Sequence, residues 1–392
     1  MERKVILLCL AVVVMMVISI YQYSWSLFAD SIITVFKWDS AIVGLAFTIF
    51  TYTSTFIQPF SGFLADTYGA RKIAVIASLI CGFGFIFSSW LSSPWHLYLS
   101  YGFGGLGVGV LYGISTALAI KWFPERRGLA TGIVVFGFGS GTAIFNLIIQ
   151  WMIENRGLTY TFQSTGIIIL ITTLIASSMY SYPTSSDKVK VRKSTSKDFK
   201  PLDMVLTWQW PLIYFSFIFT VAIVLIFAAQ LKMFAKSLNI PSEYINLALI
   251  VFPIGNGLSR IIAGASSDVL GRVKAMFIFY MLLGASTFSI IYLGSNAVMF
   301  VLLSFLIALF GGSPFAFYPS IIGDYYGSYY ATTNYGLTYT AKAWAGLISG
   351  WLSGYLYSVF GSYNQILLLL AFASMTAAFT SLLLKPPKKF EY

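Results

Sequence analysis

"NYGLTYTAKAWAGLISGW", residues Asn334 to Trp351, is apolar enough to cross a bilayer yet carries a cation, Lys342, near its middle. If the segment enters its membrane near Tyr330, Lys342 lies twelve residues in, roughly 18 Å deep at about 1.5 Å of rise per residue. That is close to the midplane of a hydrocarbon core about 30 Å thick. A cation there costs at least about 2.5 to 3.5 kcal/mol, so such a side chain is expected to face a bundle interior or an aqueous cavity and to meet an anion. Lys342 therefore reads as half of an anion-binding site.

The rest of the chain agrees with a membrane setting. Of its 392 residues 58% are hydrophobic and only 9% charged, where soluble domains carry about 25% charged residues. The 35 Phe, 25 Tyr and 10 Trp are too many for one interfacial belt, so most pack between helices and some line a cavity. A formal charge of +11 raises nucleic acid as a partner, but the basic residues form no helical stripe and sit between hydrophobic runs, which topology explains better. Cys9 and Cys81 fall inside apolar runs, leaving no disulfide framework and no metal-ligand spacing. No cofactor is implied. The N-terminal apolar run ends in "YQYSWSLF" without a small-residue cleavage site and reads as a retained helix.

Stretches of spanning length are expected at about 5–29, 40–64, 72–92, 96–121, 127–152 and 161–182, then at about 208–235, 241–265, 273–293, 296–320, 331–358 and 362–384. The fold predicted is all-α: twelve transmembrane helices in two pseudo-symmetric six-helix halves, 1–182 and 208–392. The polar segment 183–207 between them carries Lys188, Lys190, Arg192, Lys193, Lys197 and Lys200 and reads as a solvated linker. If each helix reverses sides, one face takes 18 of the 24 Lys and Arg, and the other only Lys37, Arg156, Lys232 and Lys236. The positive-inside rule then places both termini and the linker in the cytoplasm of a cell that carries the protein in its plasma or inner membrane.

An internal repeat supports the division. "GFLADTYGARK" begins at Gly62 and "GASSDVLGRVK" at Gly264, so Gly62, Asp66 and Gly69 match Gly264, Asp268 and Gly271 at an offset of 202 residues. Two parallel halves with a site between them are an established transporter plan. The first copy resembles the cytoplasmic loop motif of the major facilitator superfamily. Its glycines permit close backbone approach, and Asp66, Arg71, Asp268 and Arg272 are expected to form a cytoplasmic gate by meeting helix N-termini or basic partners across the halves. A solvated interfacial charge pair is the plainer alternative.

Arg260 stands eight residues before Asp268, roughly 12 Å into the membrane. Arg260 and Lys342 thus both belong to the C-terminal half and should face one central cavity. Snorkelling or pairing with a buried acid would be the structural explanation for them. Yet all 13 Asp and Glu fall at helix ends, loops or tails. Two cations without a protein partner are best neutralised by a small transported anion. A planar Arg fork with a Lys point charge suits a dicarboxylate gripped from two sides. The sole histidine, His96, sits in the short outer loop "SSPWHL", and no titratable relay is evident. Tyr101 occupies roughly the place where many proton-coupled facilitators carry an arginine. Exchange of one anion for another is therefore the simpler mechanism. Gln22, Tyr23, Trp25, Gln58, Tyr112, Phe138, Phe310 and Tyr339 also lie at membrane depth, and Tyr339 shares a helix face with Lys342.

"QYSWSLFA", "LYGISTALAIKWFPERRGLATG", "NGLSRIIAGASSDVLGR" and "NYGLTYTAKA" together resemble the oxalate:formate antiporter family of the major facilitator superfamily, over nearly the whole chain. The resemblance implies that Arg260 and Lys342 bind substrate carboxylates and that Gln22, Tyr23 and Tyr112 occupy pocket positions. Phe138 and Phe310 keep aromatic rings where oxalate carriers of the family enclose their substrate. Tyr339 replaces a bulkier ring, and Pro314 stands where an aromatic is expected and should kink helix ten. The charge pair is kept while the cage differs, which leaves oxalate, a monocarboxylate and a larger dicarboxylate all open. The expectation is a monomeric, non-enzymatic secondary carrier in a lipid bilayer, working by alternating access, with no metal and no nucleic-acid partner. The rivals are a proton-coupled monocarboxylate carrier and a membrane sensor of the same fold that does not transport.

Overall fold

The computed structural model describes residues 2–123, 127–183, 198–327 and 330–387; the side chains of Glu2, Asp66, Arg127, Ala331 and Thr332 fall outside the description. Most of the linker 183–207 also lies outside it. Among the described residues the regular structure is helical, without strands. Ten segments are long and apolar enough to cross a membrane. They are α1 (Arg3–Phe36), α2 (Ser40–Ser61), α3 (Ala70–Trp90), α4 (Pro94–Trp122), a double-length stretch Leu129–Ser178, α7 (Gln209–Ser237), α8 (Ser242–Leu270), α9 (Arg272–Leu293), α10 (Ala297–Tyr326) and α12 (Asn364–Ser381). The double stretch turns at Gly157, whose φ of 80° suits a residue without a Cβ. It therefore comprises two arms, α5 (129–156) and α6 (158–178). A further helical rod, α11 (331–360), holds the lysine-bearing segment.

The packing repeats with a period of six helices. In the first six, α3 packs on α6 and α4, α2 on α4, and α1 on α5. In the last six, α9 packs on α12 and α10, α8 on α10, and α7 on α11. Between the two groups α2 meets α11, α5 meets α8, and α1 meets α7. Glycines make two of these seams possible. A Cβ at Gly350 would meet Gly44 and Thr48, and a Cβ at Gly139 would meet the Gly257 backbone 2.8 Å away.

Several helices are interrupted at central depth. α1 breaks at Ser19 and Ser24, either side of Gln22 and Tyr23. α10 breaks between Gly311 and Pro314, where the proline starts a new helix rather than bending a continuous one. α8 contains Pro253, which has no N–H to give the Leu249 carbonyl one turn earlier. Asn146 of α5 supplies the missing donor, Nδ2 to Leu249 O at 2.8 Å, while its Oδ1 accepts from the Ser24 hydroxyl at 2.6 Å. α11 pauses at Thr340, just before Lys342, and widens into a π-turn over Ile348–Leu352. The Thr48 hydroxyl of α2 is wedged there, donating to Gly346 O at 3.1 Å and accepting from the Trp351 amide at 3.0 Å. An inserted side chain of this kind is a recognised cause of a helix bulge.

Candidate functional site

The breaks bring polar side chains from both groups of helices to one buried place. Arg260 on α8 is 6% exposed and Lys342 on α11 is 3% exposed. They lie close enough to repel one another. Among the described residues no carboxylate is within ion-pair distance of either.

Arg260 is held by its neighbours rather than paired. Its Nη2 donates to Asn256 Oδ1 at 3.4 Å, one helical turn earlier on α8, and the Tyr23 hydroxyl of α1 donates to the same oxygen at 3.1 Å. Its guanidinium lies over the Phe315 ring, 4.7 Å from the centroid. The hydroxyls of Tyr112, Tyr23 and Tyr339 surround it. Lys342 Nζ is 5.7 Å from the centroid of Tyr339, its neighbour one turn back on α11. Both cation–ring contacts are attractive, the more so where water is excluded.

Aromatic rings pack around the cations. Phe138 of α5 stands edge-on to Tyr112 and Tyr23, with centroids 5.1 and 5.7 Å away. Tyr339 is 6.5 Å from Tyr112, 6.1 Å from Phe315 and 5.5 Å from Tyr335. Gln58 of α2 lies on the Tyr339 side of the site.

The unsatisfied groups here have one character. Arg260 Nε and Nη1, Asn256 Nδ2 and both ends of the fully buried Gln22 amide have no hydrogen-bond partner among the described residues. Except for Gln22 Oε1 these are donors. A buried donor left unmade costs about 1–3 kcal/mol, and more when charged. An acceptor-rich, negatively charged guest would satisfy them together.

Not every residue singled out in the sequence joins this chamber. Phe310 packs on Phe279 of α9, centroids 5.6 Å apart, and the α10 ring that faces the cations is Phe315. Trp25 belongs to an aromatic cluster inside the first six helices, 4.5 Å from Tyr101 and 6.2 Å from Phe47. Tyr101 donates to the Tyr21 carbonyl at 2.6 Å in the same cluster. Phe315, Tyr335 and Asn256 were missed. The signal for Asn256 was available, since it precedes Arg260 by four residues on one helix face. Phe315 follows Pro314, and only the break in α10 shows which ring turns inward.

The two loop motifs lie at the opposite end from Lys232 and Lys236. Arg272 donates to Asp324 Oδ2 at 2.9 Å and also pairs with Asp268, so the bonds join α8, α9 and α10 within the last six helices rather than crossing to the first six. Arg71 is exposed and lines a surface cavity with Arg3 and Tyr182, and the Asp66 side chain is outside the description.

Fold and site define a helical membrane protein with two buried cations where its two groups of helices meet, and the sequence comparisons place it in a transporter family. The profile of the Major Facilitator Superfamily matches residues 7–229 and 212–391, and the chain belongs to that superfamily. It is a multi-pass secondary transporter and not an enzyme. It is 31% identical over 366 residues to the uncharacterized 38 kDa protein in the 23S RNA operon of Thermoproteus tenax, covering 93% of this chain and 91% of that one. It is 29% identical over 372 residues to the oxalate:formate antiporter of Oxalobacter formigenes, covering 94% and 88% of the two chains. A 143-residue part, 35% of this chain and 29% of the other, is 35% identical to monocarboxylate transporter 2 of Meriones unguiculatus. The crystal structure of the nucleoside transporter NupG shares the fold, with a TM-score of 0.71 at 14% identity over 96% of this chain and 99% of that one.

Proposed function

We propose that the protein carries small carboxylate anions across the membrane by alternating access, exchanging one for another. The observation that carries this reading is the buried pair Arg260 and Lys342, without a carboxylate partner among the described residues and beside orphaned donors. Two unpaired cations in a low-dielectric chamber are stable when an anion neutralises them. An empty chamber resists reorienting for the same reason, which favours exchange over net uptake. Arg260 offers its fork edge, Lys342 a point charge, and Gln22 and Asn256 their free amide donors. Tyr23, Tyr112, Phe138, Phe315 and Tyr339 would enclose the body of the anion. Similarity to the oxalate:formate antiporter along most of both chains supports the substrate class.

In this reading residues 1–182 and 208–392 are the two moving halves, and the carrier works as a monomer. Both termini face the cytoplasm, so the Asp30 end opens outward. The ion pairs around Arg272 would stabilise the cytoplasmic end of the second half. Partial similarity to monocarboxylate transporters favours a second reading, proton-coupled uptake of a single carboxylate.

Liposomes loaded with one acid and offered labelled oxalate, formate, lactate or malonate test the proposal. Uptake should require an internal carboxylate and fail in Arg260→Ala and Lys342→Ala. Carboxylate uptake that survives loss of both cations would overturn it, and pH-driven uptake without internal acid would select the second reading.

A further inference from the structure

At the far end of α7, whose last turn holds Lys236, a second pair of cations holds a carboxylate that belongs to the protein itself. Lys236 Nζ lies 2.7 Å from both oxygens of Asp30, and Lys232 Nζ lies 3.3 Å from Asp30 Oδ2. Asp30 and Lys232 are buried, 8% and 7% exposed. The lysines sit four residues apart on one face of α7, while Asp30 comes from α1, so the ion pair ties the first six helices to the last six. Beside it is a cavity of about 340 Å³, which Gln150 and Glu154 of α5 and Asn246 of α8 also line. Gln150 Nε2 donates to Glu154 Oε1 at 2.8 Å.

We propose that Lys232 and Lys236 form an outer landing site for the transported carboxylate, which Asp30 occupies as an internal substitute until the substrate displaces it. The proposal rests on the carboxylate reading above and adds to it a site and an order of events. Two ammonium groups share the Asp30 carboxylate, while Glu154, the second acid of the cavity, accepts from Gln150 instead. Both acids of the cavity, Asp30 and Glu154, belong to the first six helices. The lysines and Asn246 belong to the last six. Parting of the two groups at this end takes Asp30 from the lysines and leaves the buried Lys232 without a counter-ion beside the exposed Lys236, and a free carboxylate then neutralises it. The incoming group has the same charge and the same acceptor geometry as Asp30. The exchange therefore keeps the lysines paired throughout, whereas opening without substrate does not. Arrival of the anion and release of the closed end become one event, and the anion is passed inward toward Arg260 and Lys342.

The sign of the effect on external affinity separates a landing site from a simple lock. In intact cells expressing the full chain, the half-saturation for external substrate is measured with whichever of oxalate, formate, lactate and malonate exchanges fastest. Asp30→Asn removes the competitor and should lower that half-saturation about three- to tenfold, while Lys232→Gln and Lys236→Gln remove the site and should each raise it by a similar factor. Efflux half-saturation on the cytoplasmic side should stay unchanged in all three. If the pair only locks the end shut, all three substitutions break the same bond and shift external half-saturation the same way, which overturns the proposal. Breaking a lock favours the outward-open state and lowers external half-saturation, so a rise in either lysine variant still separates the two if Asp30→Asn fails to reach the membrane, and Asp30→Glu, which keeps the charge, should stay close to the parent. Failure of the parent chain to exchange any of the four acids would remove the carboxylate reading and this inference together. A working parent whose variants move in one direction would remove only the landing site.

Discussion

Asn146 stands in for the backbone donor that Pro253 lacks. Its Nδ2 reaches the Leu249 carbonyl at 2.8 Å, and through Ser24 it fastens α1, α5 and α8 just outside the chamber that holds Arg260. The proline leaves a carbonyl open in α8, and a residue from the other group of helices fills it. Helix geometry near the cation thus depends on a contact between the groups.

Asn146→Leu should leave Leu249 O and the Ser24 hydroxyl unsatisfied and cost about 1–3 kcal/mol. Thermal unfolding in detergent should show it as a lower Tm. Adding Pro253→Ala returns a helical donor to Leu249 and should recover part of the loss. A double variant as unstable as the sum of its singles would mean that Asn146 acts elsewhere.

Asn256 offers a way to silence Arg260 without touching it. Asn256→Asp places a carboxylate where Arg260 Nη2 now finds an amide oxygen at 3.4 Å. The arginine would gain a fixed counter-ion and lose its need for a mobile one, so exchange should fall at least about tenfold. Asn256→Ala, which removes the bond from Tyr23 but adds no charge, should lose only a few-fold. Equal rates for the two variants would count against Arg260 as the carboxylate receptor.

Phe315 and Phe310 make a paired test of which α10 ring matters. Loss of the cation–ring contact in Phe315→Leu should weaken substrate binding roughly 2- to 30-fold, from about 0.5–2 kcal/mol. Phe310→Leu removes packing on Phe279 and should leave half-saturation near that of the parent. The reverse pattern would move the chamber wall to Phe310. Arg260→Lys loses both fork and stacking plane and should be more damaging than Phe315→Leu.

The seam between α2 and α11 predicts a change of state rather than of affinity. A methyl group at Gly350 would press on Gly44 and Thr48, so Gly350→Ala should hold the Asp30 end apart. A cysteine replacing Thr34, which lines the cavity there, should then react faster with a membrane-impermeant thiol reagent while exchange slows. Thr48→Val, which loses two hydrogen bonds but keeps the shape, should do the same more mildly. Unchanged labelling in both would show that this seam does not close the end.

By itself the sequence determined that this is a helical membrane transporter with two cations at depth and no acid to meet them. Both results follow from one-dimensional properties: a long apolar run has no stable state in water or lipid other than a spanning helix, and an inventory of Asp and Glu along the chain needs no coordinates. The repeat at Asp66 and Asp268 was legible for the same reason. Only the tertiary structure decided which rings face Arg260 and Lys342. Tyr23, Lys342 and Phe315 follow interruptions at Ser19, Thr340 and Gly312, and each interruption resets which face of the helix comes next, so a uniform period of 3.6 residues cannot carry orientation across it. The Asp30 pair with Lys232 and Lys236 lay beyond reading for a related reason. Its partners are some 200 residues apart, and nothing in a sequence records which helix of one half leans on which helix of the other.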